Sequence, residues 1–160
     1  MAYSSPLQRA LKTAEIVLRH HQLSPILEEA LQEINFGIYQ GKTIEEILKE
    51  DPSFDGGENS LDQMKWKVKG GQSLGEKLEQ FKKRFNHWCQ VHQGKTILLS
   101  THGGVKRVLA VYLKLVKPRE VRKLMIQNAS VSIFRFEKGK LEVELFNDSN
   151  HLHEEILEGR

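Results

Sequence analysis

The 160-residue sequence contains one cysteine, Cys89, so no internal disulfide can form, a usage that fits the reducing cytoplasm. No apolar run approaches the ~20 residues that a membrane-spanning helix needs. The opening Met1-Ala2-Tyr3-Ser4-Ser5-Pro6 lacks the basic and apolar regions of a signal peptide. Net charge is small too: 24 Lys and Arg against 21 Asp and Glu leave +3. That balance predicts no nucleic-acid partner, although it allows a local basic pocket for an anion. No internal repeat, linker or low-complexity tract interrupts the chain. At 39% hydrophobic and 28% charged residues the composition is globular. The expectation is one cytoplasmic domain over residues 1–160, away from membranes.

The most informative segment runs from Thr96 to Val105, Thr-Ile-Leu-Leu-Ser-Thr-His-Gly-Gly-Val. Ile97-Leu98-Leu99 predicts a strand buried on both faces of an α/β sheet. Gly103 and Gly104 permit a tight turn into a helix to about Leu115, whose first N–H groups are free to bind an anion. His102 then stands at the carboxyl end of a strand and the start of a helix, where α/β folds place ligands. Upstream, Tyr3-Ser4 reads as the end of a short strand. Ser5 is a candidate N-cap, with Pro6 at the first position of a helix from about Pro6 to His20 whose inner face is Ala10, Ala14 and Val17. Leu31 to Gly41 reads as a loop. Lys42 to Glu50 predicts a short helix capped by Thr43 and stopped by Pro52. Ser53 to Gly71 has no periodicity, as in a lid or binding loop. Ser73 opens a helix with Leu74, Leu78, Phe81, Phe85 and Trp88 on one face, and Gly94 ends it. Pro118 opens another short helix. Val131–Glu137 and Leu141–Phe146 alternate around Lys138-Gly139-Lys140, a hairpin pattern.

Three polar residues sit in turns beside these elements. A guanidinium at Arg9, in the first turns of a helix, could hold phosphate oxygens bidentately. Taken alone it is an ordinary exposed arginine. Glu33 lies among apolar neighbours in a loop. Beside bound phosphate such a carboxylate holds its proton more tightly and could protonate a leaving alcohol. Alone, it is a solvated loop residue. His102 makes the strongest case, against the alternative of a buried histidine bonded to backbone.

The spacing of these residues resembles the histidine phosphatase superfamily, the phosphoglycerate-mutase-like phosphatases. The similar segments are Tyr3-Ser4-Ser5-Pro6-Leu7-Gln8-Arg9-Ala10 with Thr13-Ala14, and Leu31-x-Glu33-x-x-Phe36-Gly37 with Gln40-Gly41. Gly70-Gly71-Gln72-Ser73-Leu74, Ser100-Thr101-His102-Gly103-Gly104, Asn128-Ala129-Ser130-Val131 and Asn147-Asp148-x-x-His151-Leu152 follow in the family's order. The resemblance implies a three-layer α/β/α sheet and no metal or organic cofactor. In the family one histidine is phosphorylated and then released by water, while a second histidine and two arginines hold the phosphoryl group. The resemblance assigns phosphate binding to Arg9, His102 and the Gly103 N–H, transition-state stabilisation to His102, and acid/base work to Glu33.

The sequence departs from the family at the nucleophile, which belongs to an Arg-His-Gly motif ending the first strand. No such tripeptide occurs in these 160 residues. Leu18-Arg19-His20-His21 lacks the preceding strand and the glycine, and reads as an exposed helix end. His87 and His92 read as surface residues, and His151 with His153 make a weak metal pair lacking a third ligand. The resemblance therefore implies a fold truncated at its first, central strand, leaving edges at Thr96–Ser100 and Val131–Phe136. Buried unpaired backbone groups cost roughly 1–3 kcal/mol each against a domain stability of about 5–15 kcal/mol. A lost upstream segment, a strand donated by another chain, or closure of the two edges would each resolve this. An open edge favours a homo-oligomer by strand addition.

The expected partner is a small phosphorylated substrate or inorganic phosphate. The function expected is that of a phosphomonoester phosphatase domain, inactive alone for want of the nucleophile. The alternative is a non-catalytic phosphate-binding or interaction module. Lys65, Lys67 and Lys69 favour a substrate with more than one negative group. Their nucleic-acid reading, with Trp66 among them, is weaker.

Overall fold

A short parallel ladder organises the first of the chain's two units, residues 1–124. The computed structural model describes residues 1–152, so His153 of the expected histidine pair lies outside the described residues. Strand β1 (Ala2–Ser4) is wholly buried and pairs in parallel on both sides. On one side Tyr3 and Ser4 face Ile26 and Leu27 of β2 (Ile26–Leu27), a strand not foreseen from the sequence. On the other, Ala2, Tyr3 and Ser4 face Leu98, Leu99 and Ser100 of β3 (Leu98–Ser100). The order β2-β1-β3 leaves β3 at the edge of its sheet. Its residues are accordingly half-buried rather than enclosed on both faces as the apolar run predicts.

Helix α1 (Gln8–Leu18) starts later than expected. Ser5 Oγ accepts the Leu7 N–H at 3.2 Å and so closes a turn before the helix instead of capping it. Its buried stripe is Ala10, Ala14 and Leu18, a strict four-residue spacing that turns Val17 to solvent. The caps of the next two helices follow the sequence. In α2 (Ile44–Glu50) Thr43 and Glu46 exchange side-chain-to-backbone bonds of 3.2 and 2.7 Å, and in α3 (Leu74–Val91) Ser73 and Glu76 do so at 3.1 and 2.7 Å.

The buried stripe of α3 is Leu74, Lys77, Phe81, Phe85 and Trp88, with a lysine where Leu78 was expected. The Trp88 ring lies tilted against Tyr3 of β1 at 5.0 Å between centroids, and Phe81 stacks on Phe85 at 5.3 Å. Helix α4 (Gly103–Tyr112) buries Val105, Val108 and Leu109, and its Tyr112 ring meets Phe85 edge-on at 6.0 Å. Pro118–Lys123 forms a 3-10 helix. No helix among the described residues is long and apolar enough to cross a membrane.

In the second unit β4 (Val131–Glu137) and β5 (Lys140–Asp148) form an antiparallel hairpin. Lys138 and Gly139 turn it with φ of 50° and 77°, the positive pair that matches strand twist. Asn147 ties the preceding turn to the hairpin: its Oδ1 accepts from Gln127 N–H and Ser130 Oγ, and its Nδ2 donates to Met125 O.

Candidate active site

Parallel pairing brings the carboxyl ends of β1 and β3 side by side, because Ser4 is in register with Ser100 and Ser5 N–H donates to Ser100 O at 2.9 Å. The hydroxyls beyond β3 fix this end to its surroundings. Ser100 Oγ donates to Ala10 O and Thr101 Oγ1 to Leu31 O, both at 2.7 Å. His102 follows in extended conformation at the N-cap of α4, only 7% exposed. Its Nε2 lies 2.8 Å from Ser5 Oγ.

The side chain of His102 does not cap α4; Glu33 does that work. The Glu33 oxygens accept the Gly104 N–H at 3.1 and 3.3 Å, and one also accepts Ile34 N–H at 2.9 Å. A carboxylate here complements the positive end of the helix. Gly104 lets the Glu33 carboxylate come this close, since a Cβ there would overlap Glu33 Oε1 and come within 2.7 Å of Ile34 Cδ1 unless those side chains moved. The Gly103 N–H lies in the first turn, beyond the reach of any helical carbonyl.

Arg9 stands in the first turn of α1, exposed, and close enough that its charge acts on His102. Burial pushes the His102 pKa below its ordinary value, the Glu33 carboxylate opposes that shift, and Arg9 and Lys77 reinforce it. Lys77, from α3, is 2% exposed and donates to Gln80 Oε1 at 3.2 Å and Glu29 O at 3.5 Å. Burial lowers its pKa, with Glu33 the carboxylate that opposes. The structure thus gathers His102, Glu33 and Gly103 at the start of α4, with Arg9 at the rim. Lys77 and Ser5 were missed as members of this group. A lysine on an amphipathic helix is expected to face water, and Ser5 read as a cap.

The remaining histidines of the first unit lie elsewhere. His20 and His21 are exposed, as is His87, and His92 meets Tyr3 Oη at 2.8 Å.

A cavity of about 620 Å³ adjoins Glu33 and Gly104. The unperiodic segment after Ser53 supplies one wall through Phe54 and Trp66. The lysines on either side of Trp66 are ion-paired, Lys65 with Asp62 at 3.3 Å and Lys67 with Glu76 at 2.5 Å. Neither these two nor Lys69 lines the cavity.

The sequence profile of the histidine phosphatase superfamily (branch 1) matches residues 1–149. Phosphoglycerate mutase-like protein 4 of Arabidopsis thaliana is 31% identical over 158 residues, covering 95% of this chain and 66% of the relative. The metal-independent phosphoserine phosphatase of the same plant is 28% identical over 155 residues, covering 94% of this chain and 62% of the relative. The chain therefore spans less than two thirds of the length of either. The solved structure of Bacillus stearothermophilus YhfR aligns with a TM-score of 0.82 at 26% identity, covering 94% of this chain and 74% of that one. The mixed α/β fold, with its parallel sheet and flanking helices, is shared with that structure. With the profile running from the first residue through the hairpin, the chain belongs to the histidine phosphatase superfamily.

Proposed function

We propose that the chain binds the phosphoryl group of a small phosphomonoester, as part of a phosphatase that works through a phosphohistidine. The observation that carries this reading is the buried His102 beside the free first-turn N–H of α4, at the joined ends of two parallel strands. Phosphate oxygens would take hydrogen bonds from His102, Gly103 N–H and the Arg9 guanidinium, which converge as a loose phosphoryl-transfer transition state requires. Glu33 would protonate the leaving oxygen. The phosphoserine phosphatase among the relatives supports hydrolysis of a monoester over a mutase reaction.

These 160 residues are proposed not to turn a monoester over by themselves, because they do not contain the Arg-His-Gly motif that carries the family's nucleophile. The same observation favours the second reading, a phosphate-binding or interaction module without catalysis. Strand addition at β3 would build a homo-oligomer and is checked by sedimentation. Calorimetry with inorganic phosphate and hydrolysis of 4-nitrophenyl phosphate test the function together. Binding that weakens in Arg9→Ala and His102→Ala, without turnover, is expected. Turnover that disappears in both variants would overturn the claim of inactivity, and absence of phosphate binding would overturn the site.

A further inference from the structure

The cavity beside Glu33 presents aromatic and aliphatic side chains along one wall, with Asn35, Asp55, Glu58, Gln72, Arg107 and Arg122 also at its border. Phe54 and Trp66 come from the loop, Phe36 and Ile34 from the segment after Glu33, and Ile44 and Leu48 from one face of α2. The aromatic rings support one another: Phe54 lies 6.0 Å from Trp66, 6.4 Å from Phe36 and 5.2 Å from Tyr39. Most charged groups at its border are already committed to backbone. Asp55 accepts Gly57 and Asn59 N–H at 2.7 and 3.0 Å, Glu33 accepts Gly104 and Ile34, and Arg107 Nε donates to Leu124 O at 3.0 Å.

Arg122 makes this wall rigid before any ligand arrives. Its Nη1 donates to Gly56 O at 2.6 Å, its Nη2 to Gln63 O at 3.2 Å and Trp66 O at 3.3 Å, and its guanidinium lies 4.5 Å from the Trp66 ring centroid. Gly57, at φ +83°, packs so closely on the same indole that any Cβ would collide with it. A ring held by a cation and by backbone has little conformational entropy left to lose on binding.

We infer that this cavity receives the alcohol half of the substrate and selects an apolar, aromatic-sized group, with Phe54, Trp66, Ile44 and Leu48 as specificity-determining residues. The inference rests on the phosphate site proposed above, because Glu33 and Gly104 border both. An aryl group entering the cavity leaves water for a wall of rings and aliphatic carbons, a gain that a hydroxylated chain of equal size would not share in full.

Two non-hydrolysable probes with one head group test it: (1-naphthylmethyl)phosphonate and methylphosphonate, titrated calorimetrically into the whole chain, with 1-naphthol as a neutral third probe. The aryl phosphonate is expected to bind about tenfold tighter or more. Ile44→Glu and Leu48→Glu should bring that ratio close to one. Both positions are exposed, 59% and 40%, so a charge there leaves folding intact while facing the ligand. Phe54→Ala should lower the ratio without adding charge. Equal binding of the two phosphonates, or a preference that survives all three substitutions, overturns the inference. If neither phosphonate binds, the phosphate reading falls. The cavity then stands only if 1-naphthol binds and loses affinity in Leu48→Glu, and otherwise falls as well.

Discussion

The imidazole of His102 and the hydroxyl of Ser5, 97 positions apart in sequence, meet at 2.8 Å where β1 and β3 end together. In the function proposed above, Ser5 would be the group that a phosphate oxygen displaces from Nε2. The exchange has a pH signature. In the free protein, burial, Arg9 and Lys77 hold the His102 pKa below its ordinary value, against the pull of Glu33. A bound dianion would favour the imidazolium and raise that pKa.

Phosphate binding is therefore expected to take up part of a proton between the depressed free-state pKa and the higher bound-state one. Affinity should fall as pH rises through that interval. Phosphate itself titrates near neutrality, so calorimetry at about pH 6.5 in buffers of different ionisation enthalpy reads the net proton change, and the difference between the parent and His102→Ala isolates the share taken up by His102. His102→Ala should also weaken phosphate about tenfold or more. Linkage also acts on folding. Because the folded state favours neutral His102, the unfolded chain takes the proton first as pH falls below about 6.5, and stability declines there. The same net proton change in the parent and in His102→Ala would show that His102 does not meet the anion.

Glu33 is expected to show two separable effects. Glu33→Ala removes the carboxylate that accepts Gly104 N–H and should cost about 1 kcal/mol of stability in urea denaturation. Glu33→Gln keeps an acceptor and should retain part of that. Both variants should move the His102 pKa further down, since the Glu33 charge is what raises it. An imidazole titration by NMR that shifts upward in Glu33→Gln would contradict this arrangement.

Local signals carried much of the fold into the sequence. Thr43 with Glu46 and Ser73 with Glu76 are capping boxes whose chemistry is complete within four residues, and Lys138-Gly139 is a turn of the same reach. His102 was legible because an apolar run, a histidine and two glycines adjoin. The rest depends on contacts distant in sequence. Residues Ile26 and Leu27 become a strand only because β1 lies beside them, and two residues carry no period of their own. Ile97-Leu98-Leu99 reads as fully enclosed because the apolar pattern cannot report which strand stands at an edge. Lys77 turns inward where helical patterning predicts a polar face. The aromatic wall joins residues from three segments whose only common signal is scattered aromatic side chains in loops.

Arg122 should matter to the loop more than to the fold. Its three side-chain bonds to Gly56, Gln63 and Trp66 oxygens close the loop from one point. Arg122→Ala is expected to cost about 1.5–3 kcal/mol, as for charged hydrogen bonds, and to speed amide exchange between residues 56 and 66 while the caps of α2 and α3 stay protected. Arg122→Lys keeps the charge but lacks a planar fork to span separate carbonyls, so it should recover little of that protection. Uniform protection in both variants would show that the loop holds itself.

Lys77 is expected to be a cost to the fold and an asset to the site. Its ammonium is almost wholly buried on the apolar stripe of α3, and burial lowers its pKa. Lys77→Met preserves length and removes the desolvation of a charge, so the variant should be more stable near neutral pH by about 1 kcal/mol or more. The pH dependence separates this cause from better packing. The folded state binds the Lys77 proton less tightly than the unfolded chain. The penalty is thus fully present below the depressed pKa and fades as pH rises from there toward about 10.5. The advantage of Lys77→Met over the parent should shrink over that same range. The substitution should also raise the His102 pKa, because Lys77 is one of the positive charges that lower it. Thermal denaturation from pH 7 to 10 and an NMR titration of His102 measure the two effects. A constant stability gap together with an unmoved His102 would place the Lys77 charge outside this network.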